Sequence, residues 1–146
     1  MGTYMQGALK SGVGPSEVAT DVAYALFSKS VVIDHVVEAG AGSDNIDVTV
    51  ELPRNAQIIE TYVDTLTAWN SVTSAALTIG TAAGGTEVLG SSDVKSAGRE
   101  TTAPTAAQLA VWDDIGTTTT MHIRVAQVGN TSAGQARVTF VFAPKL

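Results

Sequence analysis

Ile46-Asp47-Val48-Thr49-Val50-Glu51-Leu52 decides the fold. Apolar side chains stand at every second position, Ile46, Val48, Val50 and Leu52, with Asp47, Thr49 and Glu51 between them. Successive side chains of a β-strand point to opposite faces, so this stretch is a strand with one face in a core and the other in water. Pro53-Arg54-Asn55, residues of turn type, ends it.

Working outward, three later segments repeat the pattern. Residues 59–67 are rich in Thr, Tyr and Val; Met121, Ile123 and Val125 alternate with His122 and Arg124; Val138, Phe140 and Phe142 alternate with Arg137 and Thr139. Gly129-Asn130-Thr131-Ser132-Ala133-Gly134 between the last two is a polar, Gly-flanked connection of hairpin length. Further strands are expected over residues 31–37, over 75–79 closed by Gly80, and over 109–115, with room for one helical turn in the Ala/Thr-rich residues 101–108. Residues 16–27 read two ways. Val18, Val22 and Leu26 have helical spacing and Pro15-Ser16 suits a helix start, while the β-branched content and Ser28-Lys29-Ser30 favour an extended or mixed segment. Thr117-Thr118-Thr119-Thr120 reads as the entrance to a strand. About seven short strands with turn signals roughly every ten residues specify an all-β fold, a single antiparallel β-sandwich of jelly-roll type. Two Trp, three Tyr and three Phe leave Val, Ile, Leu and Ala to fill its core.

Of 146 residues, 45% are hydrophobic and 15% charged, which fits one folded domain and excludes a disordered polyelectrolyte. Residues 1–17, rich in Gly and Ser with scattered Tyr4, Met5, Leu9 and Val13, carry no stripe to bury and read as an N-terminal arm; residues 18–146 read as the sandwich. Cysteine is absent, which removes disulfides, thiolate metal sites and cysteine nucleophiles together. Eight Lys and Arg against fourteen Asp and Glu give a net charge of -6, and the basic residues are scattered, so no nucleic-acid partner is expected. The most apolar stretch, residues 18–37, is broken by Asp21, Lys29 and Asp34, and no membrane partner is expected either. The opening Met-Gly-Thr-Tyr-Met lacks the charged start and apolar run of a secretory signal, so the expectation is a product kept without export by that route.

Each motif that suggests chemistry fails on context. Gly40-Ala41-Gly42 follows an apolar run as in a dinucleotide-binding turn, but Asn45 stands where the third glycine belongs and a strand follows in place of a helix; a hairpin turn is the better account. Residues 80–85 lack the lysine of a phosphate-binding loop. His35 and His122 are the only histidines, which limits both a His-carboxylate metal triad and Ser-His-Asp hydrolysis, and no G-x-S-x-G elbow is present. Asp44, Asn45 and Asp47 offer oxygens suited to calcium without EF-hand spacing, so a solvated turn is preferred. Asp113 and Asp114 are adjacent and, on a strand, point to opposite faces, so they cannot flank one glycosidic bond. No enzyme, no cofactor and no metal is therefore expected.

Leu77-Thr78-Ile79-Gly80-Thr81, then Thr120-Met121-His122-Ile123-Arg124-Val125, then the run from Asn130-Thr131-Ser132-Ala133-Gly134 to Val138-Thr139-Phe140 follow a Gly-rich arm. This layout, over most of residues 22–143, resembles small virion proteins of tailed bacteriophages, in particular head decoration (cement) proteins. The resemblance implies a homo-oligomer, often a homotrimer, that sits on the capsid surface over junctions of the major capsid protein and stiffens the shell without chemistry. Many weak contacts repeated over a lattice give avidity, and an arm that orders on binding suits this, with Tyr4, Met5 and Leu9 as its anchors. Alternatives are a phage neck or tail adaptor, a receptor-binding tail domain, or a free glycan-binding or calcium-dependent module. The last would need Asp44 and Asp47, or a sugar against Trp69 or Trp112, residues assigned here to the core.

Overall fold

The structure is a computed structural model and describes residues 25–38, 45–100 and 102–144. The stretch that opens the sequence reading forms a strand over Asn45–Glu51 that buries Ile46 and Val50, half-buries Val48 and turns Asp47, Thr49 and Glu51 to solvent. In chain order the elements are β1 (Phe27–Asp34), α1 (His35–Glu38), β2 (Asn45–Glu51), β3 (Ala56–Thr67), β4 (Ser74–Gly80), β5 (Leu89–Asp93), β6 (Gly98–Glu100), α2 (Ala106–Asp113), β7 (Thr120–Val128) and β8 (Gln135–Pro144).

Among the described residues two four-stranded sheets, ordered β1-β8-β3-β6 and β2-β7-β4-β5, make an all-β sandwich. Every pairing is antiparallel, and the pairs nest: β1 with β8, β2 with β7, β3 with β6, β4 with β5. The chain is thus one long ribbon of paired strands whose successive pairs alternate between the sheets. Pairing of β3 with β8 and of β4 with β7 completes each sheet. This nesting is the eight-stranded jelly roll. Between the sheets lie Ile33, Val63, Val138 and Phe140 on one side and Ile46, Leu77, Ile79, Met121, Ile123 and Val125 on the other, the aliphatic core that the composition requires. Their alternation with exposed residues follows from the pleat.

Several local expectations are corrected. Both connections read as hairpins, after residue 38 and over residues 129–134, join strands of different sheets, so they are arches across the sandwich. Gly- and Asn-rich links have the same composition whether the chain folds back within a sheet or crosses to the other. The strand expected over 109–115 is the helix α2. Thr105 caps it by accepting from Gln108 N (3.3 Å) while its own N–H donates to Gln108 Oε1 (2.8 Å). Its inward residues are Gln108 and Trp112, four apart. The first strand begins earlier and ends at Asp34, where the carboxylate accepts Val36 N (2.8 Å) and turns the chain into α1. β5 and β6 lack the apolar alternation that marks the other strands and were not expected. Thr120 opens β7, as read. The boundary at residue 17 lies outside the described residues.

Candidate interaction surface

Four connections gather at one end of the sandwich, and backbone hydrogen bonds tie them together. His35 N donates to Gly134 O, Asn70 N to Ala133 O, Trp69 N to Val94 O, and Thr73 N to Val128 O. The Asn70 side chain acts as a short strand substitute for the β7–β8 arch: Oδ1 accepts Ser132 N (2.9 Å) and Ala133 N (3.1 Å), and Nδ2 donates to Ser132 Oγ (2.9 Å). Ser71 Oγ and Thr131 Oγ1 meet at 2.7 Å, and Lys95 Nζ reaches Thr73 O at 3.3 Å. Loop backbone that would otherwise be solvated is thereby held in one arrangement.

Beneath these arches Trp69 is 1% exposed and donates its indole N–H to Gln127 Oε1 at 3.1 Å. An indole nitrogen only donates, so this bond fixes which end of the Gln127 amide faces it. His35 Nδ1 lies 3.2 Å from the same oxygen and must carry the proton. Gly134 packs directly on the Trp69 ring, where an added Cβ would overlap the ring atoms; only glycine lets the arch approach so closely.

The exposed apolar side chains on this locked frame include Val72 (73% exposed) and Val128 (54%), with Val36 and Val37 of α1 nearby. Val72 and Val128 are neighbours, since a Cβ on Gly129 would lie 2.9 Å from Val72 Cβ and Thr73 N bonds Val128 O. Val128 falls on the outward phase of β7, so an apolar residue where alternation calls for a polar one was a readable signal. Val32 of β1 breaks phase in the same way. Asn70 and Val72 carried no such signal, because their role depends on an arch that the topology supplies.

The outer sheet faces are laced by bidentate ion pairs. Arg99 of β6 donates to Asp64 of β3 at 2.7 and 3.0 Å and lies over the Tyr62 ring at 4.3 Å; Arg137 comes within 3.6 Å of the same carboxylate. Arg124 of β7 holds Asp47 of β2 at 2.8 and 2.9 Å. The Arg99 hydrogen bonds, then its charge, hold the Asp64 carboxyl below its ordinary value, and the Asp47 hydrogen bonds raise Arg124. Glu87 is lowered by accepting Thr81 N, and Glu51 by the Thr120 hydroxyl. Each of these charges is engaged in holding strands or a turn. The hydroxyls of Thr61 and Thr65, which face the interior, are buried without a hydrogen-bond partner.

The residues singled out in the sequence are not brought together. His35 sits at the arches, whereas His122 lies on the outer face of β7, five residues before Gln127 and so about 16 Å along the strand. Asp47 is engaged by Arg124, and Asp44 lies outside the described residues. Asp113 ends α2 and accepts from Gln57 Nε2 (3.4 Å), while Asp114 accepts from Asn55 Nδ2 (3.2 Å) and Gly116 N (2.8 Å). These carboxylates anchor the helix end to the start of β3. Tyr4, Met5 and Leu9 also lie outside the described residues. Among the described residues no group of three His, Asp or Glu is placed to hold a metal ion, and no helix is long and apolar enough to cross a membrane. Trp69 and Trp112 are both core residues, so neither offers a ring face to a sugar. Comparison with protein-family models, with curated proteins and with solved structures found no match.

Proposed function

We propose that the protein is a structural virion component that decorates a tailed-phage capsid, binding over junctions of the major capsid protein through the arch end of its jelly roll. Jelly rolls serve as capsid, lectin and cupin domains alike, so the fold by itself does not select a function. The observation that carries the reading is the pair Val72 and Val128, exposed on arches that Asn70, Trp69 and Gln127 lock in place. Apolar side chains on a rigid rim are what a protein surface uses to seat a partner, because little ordering entropy is lost on binding. One such contact is weak, and repetition over a lattice supplies the avidity. Residues 1–17 are assigned a second contact, with Tyr4, Met5 and Leu9 as anchors.

The test is co-sedimentation of the purified protein with expanded, undecorated phage heads and, separately, with isolated tails. Binding to heads that falls about tenfold, or roughly 1.4 kcal/mol, in Val72→Asp and Val128→Asp, with unchanged thermal midpoints, is the expected result. Head binding indifferent to both substitutions removes the arch end from the interface. Binding to tails alone moves the protein to the neck or tail.

A further inference from the structure

The outer face of each sheet carries arginine held on aspartate, and the two clusters differ in their count of charges. On the β2-β7-β4-β5 sheet one guanidinium, Arg124, meets one carboxylate, Asp47, and the charges cancel. On the β1-β8-β3-β6 sheet two guanidiniums, Arg99 and Arg137, converge on the single carboxylate of Asp64. Two positive charges against one negative leave +1 at this spot, on a chain whose net charge is -6.

Strand register lines these residues up. Val32 stands opposite Arg137, Arg137 opposite Asp64, and Asp64 opposite Arg99, one row across all four strands. The neighbours Ile33, Val138 and Val63 are buried, so by the pleat the row lies on the outer face. Arg99 spends its Nε and one amino nitrogen on the two oxygens of Asp64. Arg137 reaches that carboxylate only at 3.6 Å, beyond hydrogen-bonding distance, and makes no hydrogen bond with the described residues. Its side chain is 45% exposed, so the donors of its fork are unspent. The adjoining rows do not supply the missing charge. On one side Ser30 and Thr139 satisfy each other at 2.8 Å beside Tyr62; on the other the Asp34 oxygens accept Val36 N and Gln135 Nε2.

We propose that Arg137, beside the Arg99–Asp64 pair, seats an aspartate or glutamate side chain of a partner protein, the second carboxylate balancing the second guanidinium. Charge selects this occupant. A carboxylate brings the single negative charge that the spot lacks, whereas a phosphate monoester brings about -1.5 to -2. A nucleic-acid backbone needs a run of basic residues, and this face has two. A planar carboxylate also matches the guanidinium fork through two parallel bonds. The surroundings are those of a protein contact. Val32, 43% exposed, stands beside Arg137 on β1, and Tyr62 stands diagonally across on β3; Arg and Tyr are residues that interface centres favour. Asp64 and the Tyr62 ring hold Arg99 in place beforehand, which lowers the ordering cost of binding. The inference does not rest on the capsid reading.

The experiment is a titration of the full chain, followed by the amide NMR signals of Val32, Arg99 and Arg137, with a hexaglutamate peptide and separately with inorganic phosphate. Low ionic strength is used, where screening is least. The peptide is expected to shift these signals saturably. Arg137→Gln is expected to weaken its affinity about tenfold, and Arg54→Gln, at an exposed arginine in the turn after β2, to leave it unchanged. Arg137→Lys keeps the charge and loses the fork, so its affinity should fall between the two. Circular dichroism checks that each variant is folded, and Arg137→Lys decides if Arg137→Gln does not fold. Shifts that never saturate, equal losses in Arg137→Gln and Arg54→Gln, or full affinity in Arg137→Lys overturn the proposal. Phosphate binding tighter than the peptide does so too, by making the spot a site for an adventitious ion only.

Discussion

The two flanks of the sandwich solve the same problem in opposite ways. Each flank ends in two strands whose outer backbone groups need partners. On the β5–β6 flank the strands are short, and the link carrying α2 packs beside the start of β5. The link carrying α2 donates Gln108 Nε2 to Thr86 O and Trp112 Nε1 to Val88 O, both at 2.7 Å, and Thr102 meets Ser92 at 3.0 Å. On the β1–β2 flank the strands are long, and the described cover is one side chain, Lys29, whose Nζ reaches Glu51 O at 2.7 Å. The difference shows where the described residues cover their own strand edges and where they leave them to side chains.

The sharpest way to break the closed flank is Trp112→Ala. The indole is 6% exposed and supplies both apolar burial and the partner of Val88 O. Its loss is expected to cost about 3–5 kcal/mol, read as a fall in the denaturant midpoint. Phe27→Ala on the open flank removes a ring that is 52% exposed and tilted against Phe142 with centroids 6.1 Å apart. Measured at a concentration where the chain is monomeric, it is expected to cost about 1 kcal/mol. Equal costs at the two sites would erase the distinction between the flanks.

An effect smaller than that of Trp112→Ala is expected from Thr105→Ala, which removes the cap of α2 and loosens the packing around it without emptying it. About 1 kcal/mol is expected, with faster hydrogen exchange confined to residues 105–113 and their partners at Thr86 and Val88. That helix also marks the limit of what the sequence made legible. Thr105-Ala106-Ala107-Gln108 before an apolar run is a capping signature, yet Leu109, Val111 and the later Ile115 mimic the period of a strand. The pattern in β2, β3, β7 and β8 was strong because one face of each meets the core. β5, Leu89-Gly90-Ser91-Ser92-Asp93, buries only Leu89 and Ser92, so alternation could not find it. Strand order was out of reach for a different reason. Nested pairing of β1 with β8 joins residues more than a hundred apart, and no local signal tells an arch from a hairpin. The arch-end surface inherits that limit: Val128 was visible as an apolar residue out of phase, while Asn70 gains its role only from facing Ser132 and Ala133.

Acid should separate the flanks by the least. Asp64 lashes β6 to β3 on the closed flank, and the Arg99 hydrogen bonds hold its carboxyl below the ordinary aspartate range. The unfolded chain therefore takes up the proton at higher pH than the folded one. The stability from this pair is full above the ordinary aspartate value and drains away as pH falls through it towards the lowered one. Arg99 is half exposed and solvent screens the pair, so the contribution is a few tenths of a kcal/mol, inside the range of about 0–1 kcal/mol for surface pairs. On the open flank Glu51, lowered by the Thr120 hydroxyl, has the same sign and lies fully in solvent. Urea midpoints measured from neutral to acid pH should thus flatten more in Asp64→Asn than in Glu51→Gln. The reverse order would mean that the open flank, with Lys29 on the Glu51 carbonyl, is the more firmly tied of the two.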